Sequence, residues 1–148
     1  MTAHPTAPIE FRIPPRAEVL GPIRVFVRDL SRQLGFTEDQ ADLIVLAVDE
    51  ALANAIRHGG SAEDSLVVRV RSDQRRIEVV VEDRGREFAQ TFDQPFALED
   101  HLQEMKTHGL GLHIMKTVMD SVVYQRTSDH RNVVTLVKHL PVASAASQ

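Results

Sequence analysis

A carboxylate, an amide and an imidazole recur every four residues along one segment of the chain. Glu50, Asn54 and His58 stand at i, i+4 and i+8 within Asp49–His58, so a helix would stack them on one face. Mg²⁺ prefers hard oxygen ligands and keeps several waters, which suits the Asn54 amide oxygen. Glu50, one turn earlier, could accept a proton from a hydroxyl or orient a water. The alternative for Glu50 and Asn54 is that they form a solvated helix face without a ligand. We interpret His58 as structural, because the dipole at a helix C-terminus favours histidine.

An aspartate follows a strongly apolar run. Residues 77–81 read Ile-Glu-Val-Val-Val, and Asp83 comes two positions later, ahead of Gly85. A carboxylate at the end of a buried strand is costly unless it is paired. The 6-amino group of an adenine is a suitable partner, and Gly85 would let a ring approach the backbone. The pattern predicts an adenine-binding strand end, and an ordinary strand-to-turn Asp-x-Gly is the alternative.

Two glycines open a later helix pattern. Gly109, Leu110, Gly111 and Leu112 precede apolar residues at helical spacing. Backbone N–H groups at a helix start, together with the helix dipole, favour anions. The tetrapeptide therefore predicts a cradle for phosphates, and a glycine-capped helix without a ligand is the alternative. The preceding stretch, 86–108, lacks clean periodicity and would form a lid over the ligand.

These residues need helices and strands that bring them together. Apolar spacing, turn residues and a Thr37/Gln40 capping box divide the chain into short elements. The predicted order is an edge strand at 9–13, helices at 17–34 and 37–58, and a hairpin of 66–70 with 77–82. A short helix at 97–105, a helix at 109–120 and a second hairpin of 122–126 with 132–139 follow. The fold class is α/β: a two-layer sandwich with a mixed, mostly antiparallel sheet and helices on one face.

Composition limits the function. The chain has 148 residues, which predicts one domain at 9–140 between flexible tails at 1–8 and 141–148. The net charge of −4 argues against direct nucleic-acid binding, which needs a basic face. The absence of cysteine excludes disulfides and suits a reducing cytoplasm. No apolar run reaches the ~18–20 residues that a membrane span needs.

The order and spacing of the three motifs resemble the N box and the two glycine boxes of the GHKL ATPase superfamily. Within it, the chain is most similar to the bacterial anti-sigma factor serine-protein kinases. The resemblance runs from Ile9 to Leu140 and implies the Bergerat-type ATP-binding fold with ATP or ADP and Mg²⁺ as cofactors. It implies that Asp83 reads the adenine, and that Thr135, in a matching position on a late strand, shares a water with it.

The chain departs from the family pattern at two places. The histidine-kinase and topoisomerase branches usually continue as Asp-x-Gly-x-Gly, whereas Arg86 is followed here by Glu87 and Phe88. That departure favours the anti-sigma branch. Related chains often carry a glycine where His108 stands. His108 would either reduce the flexibility of the predicted lid or contact a phosphate, and the sequence does not choose between them.

The resemblance implies an ATP-dependent serine/threonine protein kinase in the cytoplasm. Its partners would be an anti-anti-sigma protein with a STAS domain, which it phosphorylates, and a sigma factor; a homodimer is left open. Arg24 matches the partner-binding arginine of related kinases, with a solvated helix edge as the plainer alternative. The runner-up function is a nucleotide-binding module that sequesters a partner without phosphoryl transfer. An ATP hydrolase of the gyrase–chaperone type is less favoured, because such enzymes carry additional domains.

Overall fold

The computed structural model describes residues 7–58, 65–87 and 109–142. Within these ranges the chain forms five strands and three α-helices, with a 3₁₀ turn before the first helix. In chain order these are β1 (Ile9–Ile13), the 3₁₀ turn (Ala17–Val19), α1 (Leu20–Leu34), α2 (Glu38–His58), β2 (Leu66–Ser72), β3 (Arg76–Asp83), α3 (Gly109–Val118), β4 (Ser121–Arg126) and β5 (Asn132–His139).

The strands form one sheet in the order β1-β2-β3-β5-β4, and every pairing between described strands is antiparallel. The sheet is thus more regular than the mixed arrangement that the sequence predicted. Strands β3 and β5 are neighbours although they are far apart in the chain. Their register sets Asp83 opposite Asn132 and Val81 opposite Val134. The end of β3 therefore lies beside the start of β5.

One hydrophobic core lies between the sheet and the helices. Alternate residues of the central strands, Val79 and Leu136 among them, are 0% exposed, as are Ile44 and Leu52 of α2. Burying such a side chain contributes about 1.5–3 kcal/mol relative to exposure. Differences in helix propensity are below about 1 kcal/mol per residue. Burial of the apolar face of α2 against the sheet therefore contributes more to the stability of this helix than propensity does.

The predicted capping box fixes where α2 begins. The backbone N–H of Thr37 donates to Gln40 Oε1 at 2.8 Å, and the Gln40 N–H donates to Thr37 Oγ1 at 3.1 Å. Gly35 ends α1 in the left-handed region, at φ 110°, where a side chain would be strained. Together these residues make a short turn between α1 and α2, and the two helices pack against each other.

The described elements agree with the predicted ones to within a few residues, and both hairpins form. The predicted helix at 97–105, most of the predicted lid and most of the predicted tails lie outside the described residues. Among the helices that the structure describes, none is long and apolar enough to cross a membrane.

Candidate functional site

The predicted base and the second glycine box meet in the fold. Helix α3 packs on α2, which brings Gly111 against the side chain of Glu50. A Cβ atom added at Gly111 would stand 2.4 Å from Glu50 Oε2 and 3.3 Å from its Cδ. With the carboxylate in this position, a residue with a Cβ would force one of the two groups to move. Glu50 is therefore held against the first turn of α3, the helix end that the sequence predicts to bind phosphates.

Asn54 lies one turn beyond Glu50 and is nearly buried, at 8% exposure. Its Oδ1 accepts a hydrogen bond from the Arg57 guanidinium, three residues along α2. An amide oxygen carries two lone pairs, so this contact alone does not saturate it. The sequence did not predict the Arg57 contact. His58 is the last residue of α2, and its side chain lies outside what the structure describes.

Asp83 is 2% exposed at the end of β3. Its Oδ1 accepts two hydrogen bonds, one from the Gly85 N–H at 2.7 Å and one from Asn132 Nδ2 at 2.9 Å. Hydrogen bonds to an ionised carboxylate offset much of the cost of burying it. Asp83 is therefore presented in a fixed orientation, with the Gly85 N–H as one of its donors.

The second hairpin holds this strand end from the other side. Arg126 on β4 donates from Nη1 to the Gly85 carbonyl at 2.7 Å and to Asn132 Oδ1 at 3.0 Å. Tyr124 donates its hydroxyl to the same Asn132 oxygen at 2.6 Å. Asn132 is 0% exposed. A buried polar cluster thus joins the ends of β3, β4 and β5.

The turn between β4 and β5 is itself well fixed. The Thr127 N–H donates to the Arg131 carbonyl at 2.9 Å, and the Thr127 hydroxyl donates to Asp129 Oδ1 at 2.6 Å. The hydroxyl of Thr127 and the guanidinium of Arg131 lower the pKa of Asp129 to about 2. His130 takes a positive φ of 63°, which is uncommon for a residue with a side chain. The turn therefore delivers Asn132 at a defined point.

Thr135 does not meet Asp83. The register sets Thr135 opposite Val80 and Val123, whereas Asp83 stands opposite Asn132. Directly opposed residues share a face and successive residues alternate, so Thr135 points away from the face that carries Asp83. The predicted pairing of Thr135 with the adenine reader is not what this fold provides. Asn132 occupies the place beside Asp83.

Asn132 is the neighbour of Asp83 that the motifs missed. Asparagine at the start of a strand usually marks a turn. The available signal was the alternation along β5, which groups Asn132 with Val134 and Leu136 on the buried face. That alternation gives the contact with Asp83 only once the register between β3 and β5 is known.

The glycine-rich tetrapeptide forms the first turn of α3, as predicted. The helix begins at Gly109, and Gly111 is buried. Leu112 packs against the hydrophobic core, so its side chain supports the fold and only its backbone could serve a ligand. The surroundings of Gly109 and of the Leu110 side chain lie outside what the structure describes.

Arg24 is tied to the helix that carries the predicted base. Its Nε lies 2.7 Å from Asp49 Oδ1, and Asp49 directly precedes Glu50. One turn along α1, Arg28 makes a matching pair with Asp42 at 3.0 Å. Both arginine side chains are about half exposed, at 46% and 48%. Carboxylates of α2 therefore partly neutralise the positive charge that Arg24 and Arg28 give to α1.

The donors at this site fit a magnesium nucleotide. Asn54 offers a hard oxygen, Gly111 lets the start of α3 lie directly against Glu50, and Asp83 is a buried acceptor. Among the described residues, no cluster of three His, Cys, Asp or Glu side chains could hold a metal by itself. A single amide oxygen completed by phosphates and water is a usual arrangement for Mg²⁺.

Comparison with known proteins agrees with this geometry. Residues 13–138 match the family of the histidine kinase-like ATPase domain. The serine-protein kinase RsbW of Bacillus velezensis is 34% identical over 128 residues, which cover 81% of this chain and 79% of that protein. RsbW of Bacillus subtilis is 32% identical over 141 residues, covering 89% and 85%.

Two solved structures share the fold. The RsbU and RsbW domains of Rv1364c from Mycobacterium tuberculosis match with a TM-score of 0.63 at 17% identity, over 92% of this chain and 34% of that one. The SiaB–SiaC complex from Pseudomonas aeruginosa matches with a TM-score of 0.61 at 14% identity, over 89% of each chain. With the family match and the RsbW identities, the conclusion is that this chain belongs to the histidine kinase-like ATPases and, among them, to the RsbW serine-protein kinases.

Proposed function

We propose that this chain is a cytoplasmic kinase that transfers a phosphoryl group from ATP·Mg²⁺ to a serine or threonine of a partner protein. The partner would be an anti-anti-sigma protein with a STAS domain, and the kinase would alternate between it and a sigma factor. Membership of the RsbW family supports the kinase activity. The assignment of Mg²⁺, of both partners and of each site residue is our own inference.

The contact between Glu50 and Gly111 carries the proposal. A module that only binds a nucleotide has no need of a carboxylate held against the glycine box. A base at that place would take the proton from the partner's hydroxyl as its oxygen bonds to the γ-phosphorus and the bond to ADP breaks. The N–H groups at the start of α3 would stabilise the phosphate charge. The runner-up function, sequestration without transfer, leaves Glu50 unexplained.

Capture of the partner followed by phosphosite mapping tests the proposal directly. The purified chain would be incubated with cytosol from its source together with ATP and Mg²⁺, and the captured proteins analysed by mass spectrometry. We expect one small protein that gains a single phosphoserine or phosphothreonine. Suppose that a protein is captured only when nucleotide is present, but that none of its residues is phosphorylated, either in the cytosol or when the purified partner is incubated with the purified chain. That result would support the module that sequesters a partner without phosphoryl transfer.

Replacing Asn54 with alanine should remove the effect of Mg²⁺ on ATP affinity and leave the binding of metal-free ATP intact. Wild-type protein should bind ATP more tightly when Mg²⁺ is added, because the amide oxygen contributes a metal ligand. Asn54→Ala should bind metal-free ATP at close to the wild-type affinity and lose most of the tightening by Mg²⁺. Calorimetry in EDTA and in Mg²⁺ provides both arms, and a variant that retains the full Mg²⁺ effect would remove Asn54 from the metal site.

Reversing the charge of Arg24 should weaken partner capture. If Arg24 contacts an acidic surface of the partner, Arg24→Glu should slow association by about tenfold at low salt, with ATP affinity unchanged. Arg28→Glu is the matched control, because it reverses the same charge one turn away and breaks a similar pair with α2. Equal losses in the two variants, measured by surface plasmon resonance, would mean that net charge acts and Arg24 has no specific role.

A further inference from the structure

We propose that Asn132 is a positioning residue for nucleotide selection: it orients Asp83 so that the site prefers adenine over guanine. The inference rests on the proposed role of Asp83 as the adenine reader. The preference for adenine is thereby assigned to a side chain outside the three motifs. We infer this role from the burial of Asn132, from its hydrogen bonds and from its place between β3 and β4.

The amide of Asn132 makes every hydrogen bond that its chemistry allows. Its Nδ2 donates to Asp83 Oδ1 at 2.9 Å and to the Arg86 carbonyl at 2.8 Å. Its Oδ1 accepts from the Tyr124 hydroxyl at 2.6 Å and from Arg126 Nη1 at 3.0 Å. An amide has two N–H donors and two lone pairs, so the set is complete. A fully satisfied buried network is rigid.

The orientation of the Asn132 amide is also determined. Arg126 can only donate, so the atom that faces it must be the amide oxygen. The Asp83 carboxylate is an acceptor when ionised, so the atom that faces it must be the amide nitrogen. Flipping the amide would place oxygen against carboxylate and nitrogen against guanidinium. Asn132 therefore presents an N–H to Asp83 and no acceptor.

This N–H controls where the Asp83 carboxylate points. The Gly85 N–H and the Asn132 amide converge on the same oxygen, Oδ1. Two donors on one oxygen fix the rotation of the carboxyl group about its bond to the chain, and hence the direction of Oδ2. A carboxylate oxygen that faces the base would accept from a 6-amino group and would repel a 6-oxo group. The discrimination therefore depends on the aim of the carboxylate as well as on its charge.

The test is the ratio of the dissociation constants for GTP and ATP, measured by calorimetry on the full chain. We expect the wild type to prefer ATP, and Asn132→Leu to reduce the ratio by about tenfold or more, mostly through weaker ATP binding. Leu136→Ala is the matched control. Leu136 lies on the same face of β5, is 0% exposed and is remote from the strand end. It should lower the melting temperature without changing the ratio.

The outcomes distinguish failure of the proposed role of Asp83 from failure of the proposed role of Asn132. A wild type without preference, or an Asp83→Asn variant that keeps it, contradicts the role of Asp83 in the proposed function. Loss of preference in Asp83→Asn but not in Asn132→Leu overturns the role of Asn132 alone. If Asn132→Leu does not fold, Tyr124→Phe removes one donor to the Asn132 oxygen and keeps the ring. That variant should reduce the ratio by about threefold, since one neutral hydrogen bond is lost, and an unchanged ratio would equally overturn the proposal.

Discussion

Glu50→Gln should slow phosphoryl transfer to the partner by about 10²–10⁴-fold, the usual contribution of a general base. Glutamine keeps the shape of the side chain and can still lie beside Gly111, but it cannot take up the hydroxyl proton. ATP affinity should change little, because the lost function is needed only in the transition state. Single-turnover transfer from labelled ATP to the purified partner measures the rate, and calorimetry measures the binding.

The matched control for Glu50→Gln is Glu78→Gln. It makes the same chemical change on β3, on the face of the sheet that does not pack against the helices. It should leave transfer unaltered. If Glu50→Gln transfers at the wild-type rate, another group accepts the proton and Glu50 has only a packing role. If ATP binding falls in step with transfer, Glu50 contributes to holding the nucleotide.

Gly111→Ala should reduce transfer by about 10²-fold, because a displacement of about 1 Å at a catalytic group has effects of that size. The added methyl group would lie 2.4 Å from Glu50 Oε2, so one of the two must move. The carboxylate is the flexible end of a side chain and can move at low cost, whereas the first turn of α3 cannot. The fold should therefore survive while the base is displaced.

Gly21→Ala is the control for this substitution. It adds the same methyl group near the start of α1, where no atom lies within 4 Å of the new Cβ. It should leave transfer unchanged and stabilise the fold by up to about 1 kcal/mol, since alanine is the better helix former. Thermal unfolding and the transfer assay together separate the two glycines.

A double variant tells how Gly111 acts. If its methyl group works by displacing Glu50, Gly111→Ala combined with Glu50→Gln should transfer no more slowly than Glu50→Gln alone. Losses that multiply would mean that Gly111→Ala harms the phosphate-binding turn independently of Glu50. In that case the contact between the two residues is incidental to catalysis.

Local patterns predicted most of the fold. The capping residues Thr37 and Gln40 located the start of α2, and Gly35 located the end of α1. Apolar periodicity located the helices, because burying one stripe of side chains is what holds them to the sheet. The motifs named Glu50 and Gly111 separately, and their contact appears only in the structure, where α3 packs on α2.

Strand register and side-chain partners could not be predicted in the same way. A slip of one residue turns every side chain of a strand to the other face. Both alternating sets along β5 are largely apolar, so the sequence alone did not tell whether Asn132 or Thr135 faces Asp83. The Arg57 contact with Asn54 depends on a rotamer, and the Arg24 pair with Asp49 depends on how two helices cross. Each is a product of tertiary structure.

The pairing of β3 with β5 has a consequence for biosynthesis. Glu50 and Asn54, the proposed base and metal ligand, lie on α2 and are made early, whereas β5, which carries Asn132, is the last strand of the described sheet in chain order. Until Asn132 has been synthesised, the nascent polypeptide lacks the side-chain amide that donates to Asp83 from β5. The arrangement of side chains around Asp83 is therefore completed only after β5 has been translated.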